Sequence, residues 1–299
     1  MPAPPRSAPD SSASSRSRLT ALSQFFLIPL VVVLIGVSVF LLFGLVGREQ
    51  PSPRRYLEEI RSGSATRRWQ AAFEFSRLLR QGDGAAAREL VPEILQIYGA
   101  AAADDPKIQR YLAQALGFLR DPRAIDLLAD SLHDPDAETR IWAAEALGSI
   151  GTPAAARSLS TALSDDDPGV RKEAVYSLGR ISSADVTGFI SPLLQDPVTD
   201  VRWNAALALA RQEDDAGLKV LLEMIDRDKI HAVPGIRPDQ EERAMVAALT
   251  ALGSLADPDS VPVIRKLSQD DQSLKVRQAA LQVLAEIKHR QEATNPNGP

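Results

Sequence analysis

The chain has 299 residues, 44% of them apolar and 24% charged, which excludes a globally disordered protein. Its net charge of -5 provides no overall positive field for phosphate groups, so nucleic acid is excluded as a partner. Because cysteine is absent, disulfides and thiolate metal sites are excluded as well.

The N-terminal part of the chain contains a predicted tail and a predicted membrane anchor. Residues 1–24 are rich in proline, serine and alanine, which predicts a disordered tail. Residues 25–47 contain no charged residue, and as a helix they would span about 34 Å at roughly 1.5 Å per residue, enough to cross a bilayer. A cleaved signal peptide is the alternative, but the apolar run exceeds its usual core of about 7–15 residues. We therefore expect one retained transmembrane helix, followed by a linker over residues 48–53.

Arginines on both sides of the predicted anchor bear on its orientation. They are Arg16, Arg18, Arg48, Arg54, Arg55 and Arg61. Because cytoplasmic flanks carry an excess of lysine and arginine, the larger number after the anchor slightly favours a cytoplasmic C-terminal domain. The opposite orientation, with a periplasmic or other extracytoplasmic domain, stays open, because the short tail before the anchor also carries arginines and the terminal amine.

From residue 54 to residue 288 the chain is predicted to form about seven pairs of helices. The pairs are expected over residues 54–80, 86–119, 122–149, 153–180, 183–211, 215–255 and 258–288. A motif of alanine, a leucine four residues later, and then glycine or alanine recurs at a fixed period, with Leu147-Gly148 and Leu178-Gly179 as clear copies. Such a period is typical of a solenoid, in which each unit buries its apolar face against its neighbours. Residues 289–299 offer nothing able to pack and are predicted to be a disordered tail.

Aspartate-proline dipeptides mark the expected starts of several second helices. They are Asp134-Pro135, Asp167-Pro168 and Asp196-Pro197. Aspartate accepts hydrogen bonds from the first free amides of a helix, and proline is favoured in the first turn. We therefore predict that each aspartate caps the helix that follows it.

These repeats resemble the HEAT-repeat family, and more specifically the short bacterial HEAT-like repeats also found in phycobilisome lyases, over about residues 54–288. The resemblance implies an all-α fold, a right-handed α-α solenoid (a HEAT-like superhelix). In that family an aspartate in the turn and an arginine six residues later form a ladder of hydrogen bonds between successive repeats. The matching residues are Asp134 with Arg140, Asp165 with Arg171, Asp196 with Arg202, and Asp271 with Arg277. The resemblance assigns them to structure and not to chemistry.

Two repeats depart from this pattern. In the second pair Arg110 lies one residue out of register, and in the sixth pair Met245 occupies the arginine position. The sixth pair also contains extra residues, DRDKIHAVPGIRPDQ. Loops on a rigid scaffold often carry recognition, so Lys229, His231 and Arg237 are candidate contacts with a partner. A tolerated surface insertion is the alternative.

Four aromatic residues fall on or beside the first turn of second helices, which usually line the concave face of such arrays. They are Trp69, Tyr111, Trp142 and Trp203. Aromatic side chains dominate binding hot spots, so these residues are candidate anchors for a protein partner. The alternative is that each ring packs between repeats.

The sequence predicts no catalytic, metal or cofactor site. The chain has three histidines, His133, His231 and His289, and none belongs to a His-Glu pair or to a metal-binding motif. We therefore expect a protein that is not an enzyme: a membrane-anchored scaffold that binds a protein partner and organises a transport or envelope complex. A lyase-like or chaperone-like protein that presents a small molecule or a client is the alternative, from the resemblance to phycobilisome lyases.

Overall fold

The computed structural model describes residues 29–41, 52–82, 85–101, 105–183 and 185–294. The chain divides into two units, Met1–Ser52 and Pro53–Pro299. In the first unit, residues 29–41 form a helix whose side chains are all exposed.

The prediction of a transmembrane helix over residues 25–47 reaches beyond that helix. Residues 25–28 and 42–47 lie outside the described residues, as do the predicted tail and most of the linker. Within the described ranges, no helix combines the length and the apolar composition that a bilayer crossing requires. The anchor therefore stays a prediction.

Over its described residues, the second unit is an all-α solenoid of seven helix pairs, as the repeat predicts. Its helices are α1 (Pro53–Ser62), α2 (Ala65–Gln81), α3 (Ala85–Arg88), α4 (Val91–Ala101), α5 (Pro106–Leu119), α6 (Ile125–Ser131), α7 (Ala137–Ile150), α8 (Pro153–Thr161), α9 (Pro168–Leu178), α10 (Val186–Ile190), α11 (Thr199–Arg211), α12 (Leu218–Met224), α13 (Arg227–His231), α14 (Pro238–Leu255), α15 (Val261–Asp270) and α16 (Leu274–Thr294). The second helices of repeats 1 to 7 are α2, α5, α7, α9, α11, α14 and α16, and each packs against the next. Helix α13 belongs to the insertion of repeat 6.

Close approach between second helices explains the small residue of the recurring motif. A Cβ atom built on Gly148 would lie 2.5 Å from the Cβ atom of Ser177 on the next second helix. One built on Gly179 would lie 2.6 Å from the Cβ atom of Ala208. Glycine at these positions therefore allows backbones to pack at a distance that any larger residue would prevent.

The predicted capping role is confirmed at Asp167, whose carboxylate accepts hydrogen bonds from the backbone amides of Gly169 and Val170 at 2.7 and 3.2 Å. Pro168 occupies the first turn of α9, as predicted.

The capping prediction is wrong for Asp134 and Asp196. Asp136 caps α7 instead, and Val198 precedes α11 without a side-chain cap. The carboxylates of Asp134 and Asp196 each accept the backbone amide two residues later, at 2.8 Å, and so hold the turn before the helix. Aspartate favours both positions, because its short side chain reaches nearby amides in either geometry.

The last helix continues to Thr294, past the end predicted at residue 288. Val283 and Ile287 are buried, so the end of α16 extends a packed helix. The residues after 288 include good helix formers, and proline first appears at Pro296, which lies outside the described residues.

The apolar core has two parts that meet at α11. The first part extends from Leu57 to Leu209, and the second contains the buried side chains from Ala206 to Ile287. Helix α11 contributes to both, which places a boundary between repeats 5 and 6.

Candidate functional site

Six partly exposed aromatic side chains on second helices form what we call the aromatic face: Trp69, Phe73, Tyr111, Trp142, Tyr176 and Trp203. In repeats 1 and 2, the Lys107 ammonium lies 5.6 Å from the centre of the half-buried Trp69 ring. The ring centres of Phe73 and Tyr111 are 5.3 Å apart at an interplanar angle of 68°, an edge-to-face contact. Both arrangements join neighbouring repeats and leave part of each ring in contact with solvent.

The aromatic face continues in repeats 4 and 5. Tyr176 is 43% exposed, and the guanidinium groups of Arg180 and Arg211 lie 5.7 and 5.9 Å from its ring centre. Trp203 is half-buried, and together with Tyr176 and Leu207 it lines a shallow groove of about 590 Å³. Because arginine and aromatic rings attract each other, these side chains are held in place before any partner binds.

The four aromatic residues predicted from the sequence all lie on second helices and are all half-buried. Trp69, Tyr111 and Trp142 pack against the first part of the core, and Trp203 packs against the second. Each ring therefore packs between repeats on one side and reaches solvent on the other.

Sequence reasoning missed Phe73 and Tyr176, which are more exposed than the four predicted residues. A signal was present for Phe73, because it follows Trp69 by four residues and this spacing places two side chains on one face of a helix. Tyr176 likewise lies four residues after Lys172, so the two exposed side chains share one face of α9.

Two half-buried carboxyl groups lie on the same side of the second helices. Glu145 is on α7 and Glu173 is on α9, where Glu173 accepts a hydrogen bond from the Ser177 hydroxyl at 3.1 Å. Burial, reinforced by the neighbouring charge of Glu145, raises the pKa of Glu173 to about 7. Burial also raises the pKa of Glu145. This part of the face therefore favours a proton or a cationic group beside the two carboxyls.

The predicted ladder residues form hydrogen bonds between repeats 3, 4 and 5. The Arg140 guanidinium donates to both carboxylate oxygens of Asp165 at 2.7 and 2.8 Å, and to the backbone carbonyl of Asp134 at 2.8 Å. Arg171 repeats this geometry, with 2.7 and 2.9 Å to the Asp196 carboxylate and 2.8 Å to the Asp165 carbonyl. Each arginine thus binds the backbone of its own turn and the carboxylate of the next repeat.

The electrostatics of these contacts match a structural role. Burial alone would raise the pKa of Asp165 and Asp196, but the hydrogen bonds from Arg140 and Arg171, together with a backbone hydrogen bond and the charges of neighbouring arginines, outweigh it and lower both pKa values. The aspartates are therefore charged at neutral pH and bound to arginine.

The ladder varies at its ends. Arg110, one residue out of register, binds Asp136 at 2.6 Å and also contacts Glu138. Arg202 and Arg277 bind the backbone carbonyls of Asp196 and Asp271 in their own turns.

An arginine of the insertion that was not predicted from the sequence supplies the ladder contact between repeats 6 and 7. Asp226 caps the short helix α13, and Arg227 at its start donates to the two carboxylate oxygens of Asp271 at 3.0 and 2.7 Å. Arg227 also lies 3.3 Å from Glu241. Met245, at the expected arginine position, is fully buried. The spacing of the other repeats gave no indication of Arg227, because its contact depends on the path of the insertion.

The three insertion residues predicted as partner contacts are exposed but do not form one cluster. His231 Nδ1 lies 2.7 Å from the buried carboxylate of Glu241, while most of the histidine side chain is exposed. His231 and Lys229 line a groove of about 1460 Å³ between α12 and α15. Arg237 instead lies immediately before α14, and its guanidinium is 3.2 Å from Asp239.

Comparison with known proteins identifies the repeats. The family described as HEAT repeats matches residues 91–167, 157–233 and 230–296. No curated protein sequence matches the chain.

Several solved structures also match the chain. The complex of CpcE and CpcF of phycocyanin lyase from Nostoc sp. PCC7120 is 22% identical with a TM-score of 0.49, over 79% of this chain and 88% of that chain. Escherichia coli YibA is 16% identical with a TM-score of 0.49, over 82% of this chain and 96% of that chain. A designed armadillo repeat protein in complex with the peptide (KR)4 is 16% identical with a TM-score of 0.43, over 79% of this chain and all of that one.

The three sequence matches overlap at their ends and together cover the solenoid from repeat 2 to repeat 7. The chain belongs to the HEAT repeat family.

Proposed function

We propose that this HEAT-repeat protein is a membrane-anchored scaffold that binds a protein partner through the aromatic face and organises a transport or envelope complex. HEAT repeats generally mediate protein binding. The observation that carries the proposal is a row of partly exposed aromatic side chains on five consecutive second helices. They are Trp69, Phe73, Tyr111, Trp142, Tyr176 and Trp203.

The composition of the aromatic face supports a protein partner. Tryptophan, tyrosine and arginine are the residues most enriched in binding hot spots, and Arg180 and Arg211 flank Tyr176. Lys172 lies 4.0 Å from Asp200 beside the same groove, so charges of both signs are present. A surface of mixed charge favours a protein over a polymer that carries one sign of charge.

The anchor is part of the proposal and is supported by the uncharged run over residues 25–47. In the described part of that run, large apolar side chains such as Leu34 and Phe40 are exposed, at 55% and 77%. A contiguous apolar surface of this kind is costly in water and favourable in a bilayer.

The partner-binding proposal is tested by crosslinking in cells and purification of the tagged full chain from membranes in mild detergent. Wild type should retain a stoichiometric protein partner, and the double variant Tyr176→Ala with Trp203→Ala should lose most of it, because each hot-spot aromatic contributes about 2 kcal/mol or more. The matched control is Leu281→Ala, which truncates a side chain that is 56% exposed on α16.

Circular dichroism must show that the double variant is folded. A wild-type chain without a stoichiometric partner, or a partner fully retained by the double variant, would contradict the proposal. A chain lacking residues 229–238 completes the experiment, because a partner lost only with that deletion assigns recognition to the insertion.

The anchor is tested by alkaline extraction of membranes. The full chain should remain in the membrane pellet, and a chain lacking residues 25–47 should be released. Equal extraction of the two chains would remove the anchor from the proposal and leave the partner-binding face untouched.

A further inference from the structure

The groove between the first helices of repeats 6 and 7 has an apolar floor. Helix α12 contributes Leu218 and Leu222, and α15 contributes Val263 and Leu267. Each pair is spaced by four residues, so each forms a stripe along one face of its helix. Val263 is 42% exposed, and the other three are partly exposed. The groove therefore presents two apolar stripes to a common space of about 1460 Å³.

The two walls of the groove run in the same direction. First helices of successive repeats are parallel in a solenoid of helical pairs. Here the C-terminal ends of α12 and α15 are joined, because Arg227 follows α12 and binds Asp271, which follows α15. One end of the groove is thus closed by an ion pair, and Arg227 and Asp271 already satisfy each other there.

Charged side chains are arranged in the same order along both walls of the groove. On α12, Lys219 lies one turn before Glu223, and on α15, Lys266 lies one turn before Asp270. All four line the groove, and Lys219, Lys266 and Asp270 are exposed. Because the walls are parallel, the lysine of each wall lies nearer the open end than the acidic residue one turn after it. Asp228 and Lys229, also exposed at the closed end, are adjacent and of opposite charge.

An α-helix fits this surface better than an extended segment. A strand binds by extending a sheet edge, and the part of the chain that the structure describes contains no strand. A helix with apolar residues at spacings of three and four fits two parallel apolar stripes. The walls contain 7 and 10 residues, which corresponds to a bound helix of two to three turns at about 1.5 Å per residue.

The charges also select a direction for the bound helix. Helices favour acidic residues in the first turn and basic residues in the last turn, because these offset the helix dipole. Placed parallel to α12 and α15, such a helix directs its acidic end toward the lysine of each wall, Lys219 or Lys266, and its basic end toward the acidic residue of that wall, Glu223 or Asp270. Placed antiparallel, it brings like charges together at both ends.

We propose that the groove between α12 and α15 binds an amphipathic α-helix of a partner protein, parallel to both walls, with acidic residues in its first turn and basic residues in its last. This surface lies on first helices, so it is separate from the aromatic face and goes beyond the function proposed above.

The test uses displayed peptides and the purified full chain in detergent. Each peptide has a leucine stripe at spacings of three and four and end turns randomised among Glu, Lys and Ser. The enriched peptides should carry Glu in the first turn and Lys in the last, and a synthetic copy should become helical on binding. Val263→Arg should weaken its binding at least 10-fold, because it places a charge on the apolar floor. The matched control Leu281→Arg adds the same charge to an exposed site on α16 and should leave binding unchanged.

A charge-reversal variant makes the test independent of any loss of packing. Lys219→Glu with Lys266→Glu should weaken the selected peptide and favour one with Lys in the first turn. The proposal is overturned by selection without enrichment, by peptides of the opposite charge order, or by equal binding to Val263→Arg. If the peptides bind as expected while the aromatic-face variants keep their partner, only the proposed function fails.

Discussion

Repeats 3 to 5 and repeats 6 to 7 are joined by the same kind of ion pair, but its arginine comes from different parts of the repeat. In repeats 3 to 5, Arg140 and Arg171 start second helices and reach an aspartate 25 positions along the chain. In repeats 6 and 7, Arg227 comes from the insertion and reaches Asp271 across 44 positions. All three guanidinium groups bind both oxygens of the carboxylate.

This difference shows that the buried carboxylate, and not the sequence spacing, determines which arginine is used. The Asp271 side chain is only 1% exposed, and an unpaired charge at such a site would be strongly unfavourable. Any arginine placed within reach relieves that cost. The insertion is therefore tied into the solenoid at Arg227, and only its later residues are available to a partner.

The largest effect is expected when Arg227 is removed. Arg227→Ala should lower the free energy of unfolding by about 4 kcal/mol, because it leaves two buried carboxylates, Asp271 and Glu241, without their guanidinium. Arg171→Ala should cost about 3 kcal/mol, because one buried carboxylate, that of Asp196, loses its guanidinium. Unfolding in guanidinium chloride, followed by circular dichroism, measures the free energy of unfolding of both variants.

Arg243→Ala is the control for these two variants, because Arg243 is exposed and binds only the exposed Asp239, at 2.8 Å. Its effect should be small. If Arg227→Ala lowered the free energy of unfolding as little as this control, the insertion would not be part of the ladder. The comparison between the ion pairs of repeats 3 to 5 and that of repeats 6 to 7 would then fail.

Much of the fold was predictable because each regular repeat carries the same local pattern. Leu147-Gly148 and Leu178-Gly179 repeat at the spacing of one helix pair, and the structure shows why: the glycines allow adjacent second helices to approach closely. The ladder contacts of Arg140 and Arg171 followed from the resemblance for the same reason.

Other features were not predictable, because they depend on contacts rather than on spacing. The contact of Arg227 is determined by the path of the insertion in space. Asp134 and Asp196 hold turns instead of capping helices, and aspartate suits both roles equally. The exposure of Tyr176 depends on how neighbouring second helices pack, which a single helical pattern does not specify.

A second contrast concerns buried glutamates and predicts a dependence on pH. Glu241 is buried and paired with Arg227, whereas Glu173, in the regular repeats, is half-buried beside Glu145 and its pKa is raised to about 7. Between pH 4.5 and 7 the folded state therefore retains a proton that the unfolded state has lost, so stability falls as the pH rises through this window. Glu173→Gln removes the ionisable group and should lessen this fall.

The measurement is the free energy of unfolding of wild type and Glu173→Gln at pH 5 and pH 8. Wild type should lose about 1–2 kcal/mol more than the variant between the two pH values, after allowance for partial solvent screening. Ser177→Ala, which removes the hydroxyl bound to Glu173, should retain the pH dependence. Equal losses in wild type and Glu173→Gln would show that Glu173 is ionised throughout this pH range and does not cause the fall.

The smallest effect is expected at His231, which also contacts Glu241. His231→Ala removes the 2.7 Å contact, but its side chain is 82% exposed, and Arg227 continues to neutralise the buried carboxylate. The free energy of unfolding should therefore change by no more than about 0.5 kcal/mol, as for a typical surface pair. When Arg227→Ala is already present, removing the histidine should cost more, because the 2.7 Å contact of His231 with Glu241 then remains while the guanidinium is gone. The coupling between Arg227 and His231 is obtained from the free energies of unfolding of wild type, the two single variants and the double variant, measured in guanidinium chloride at pH 6. A coupling near zero would show that His231 does not contribute to the ion pairs of Arg227, and would leave it as a surface residue available to a partner.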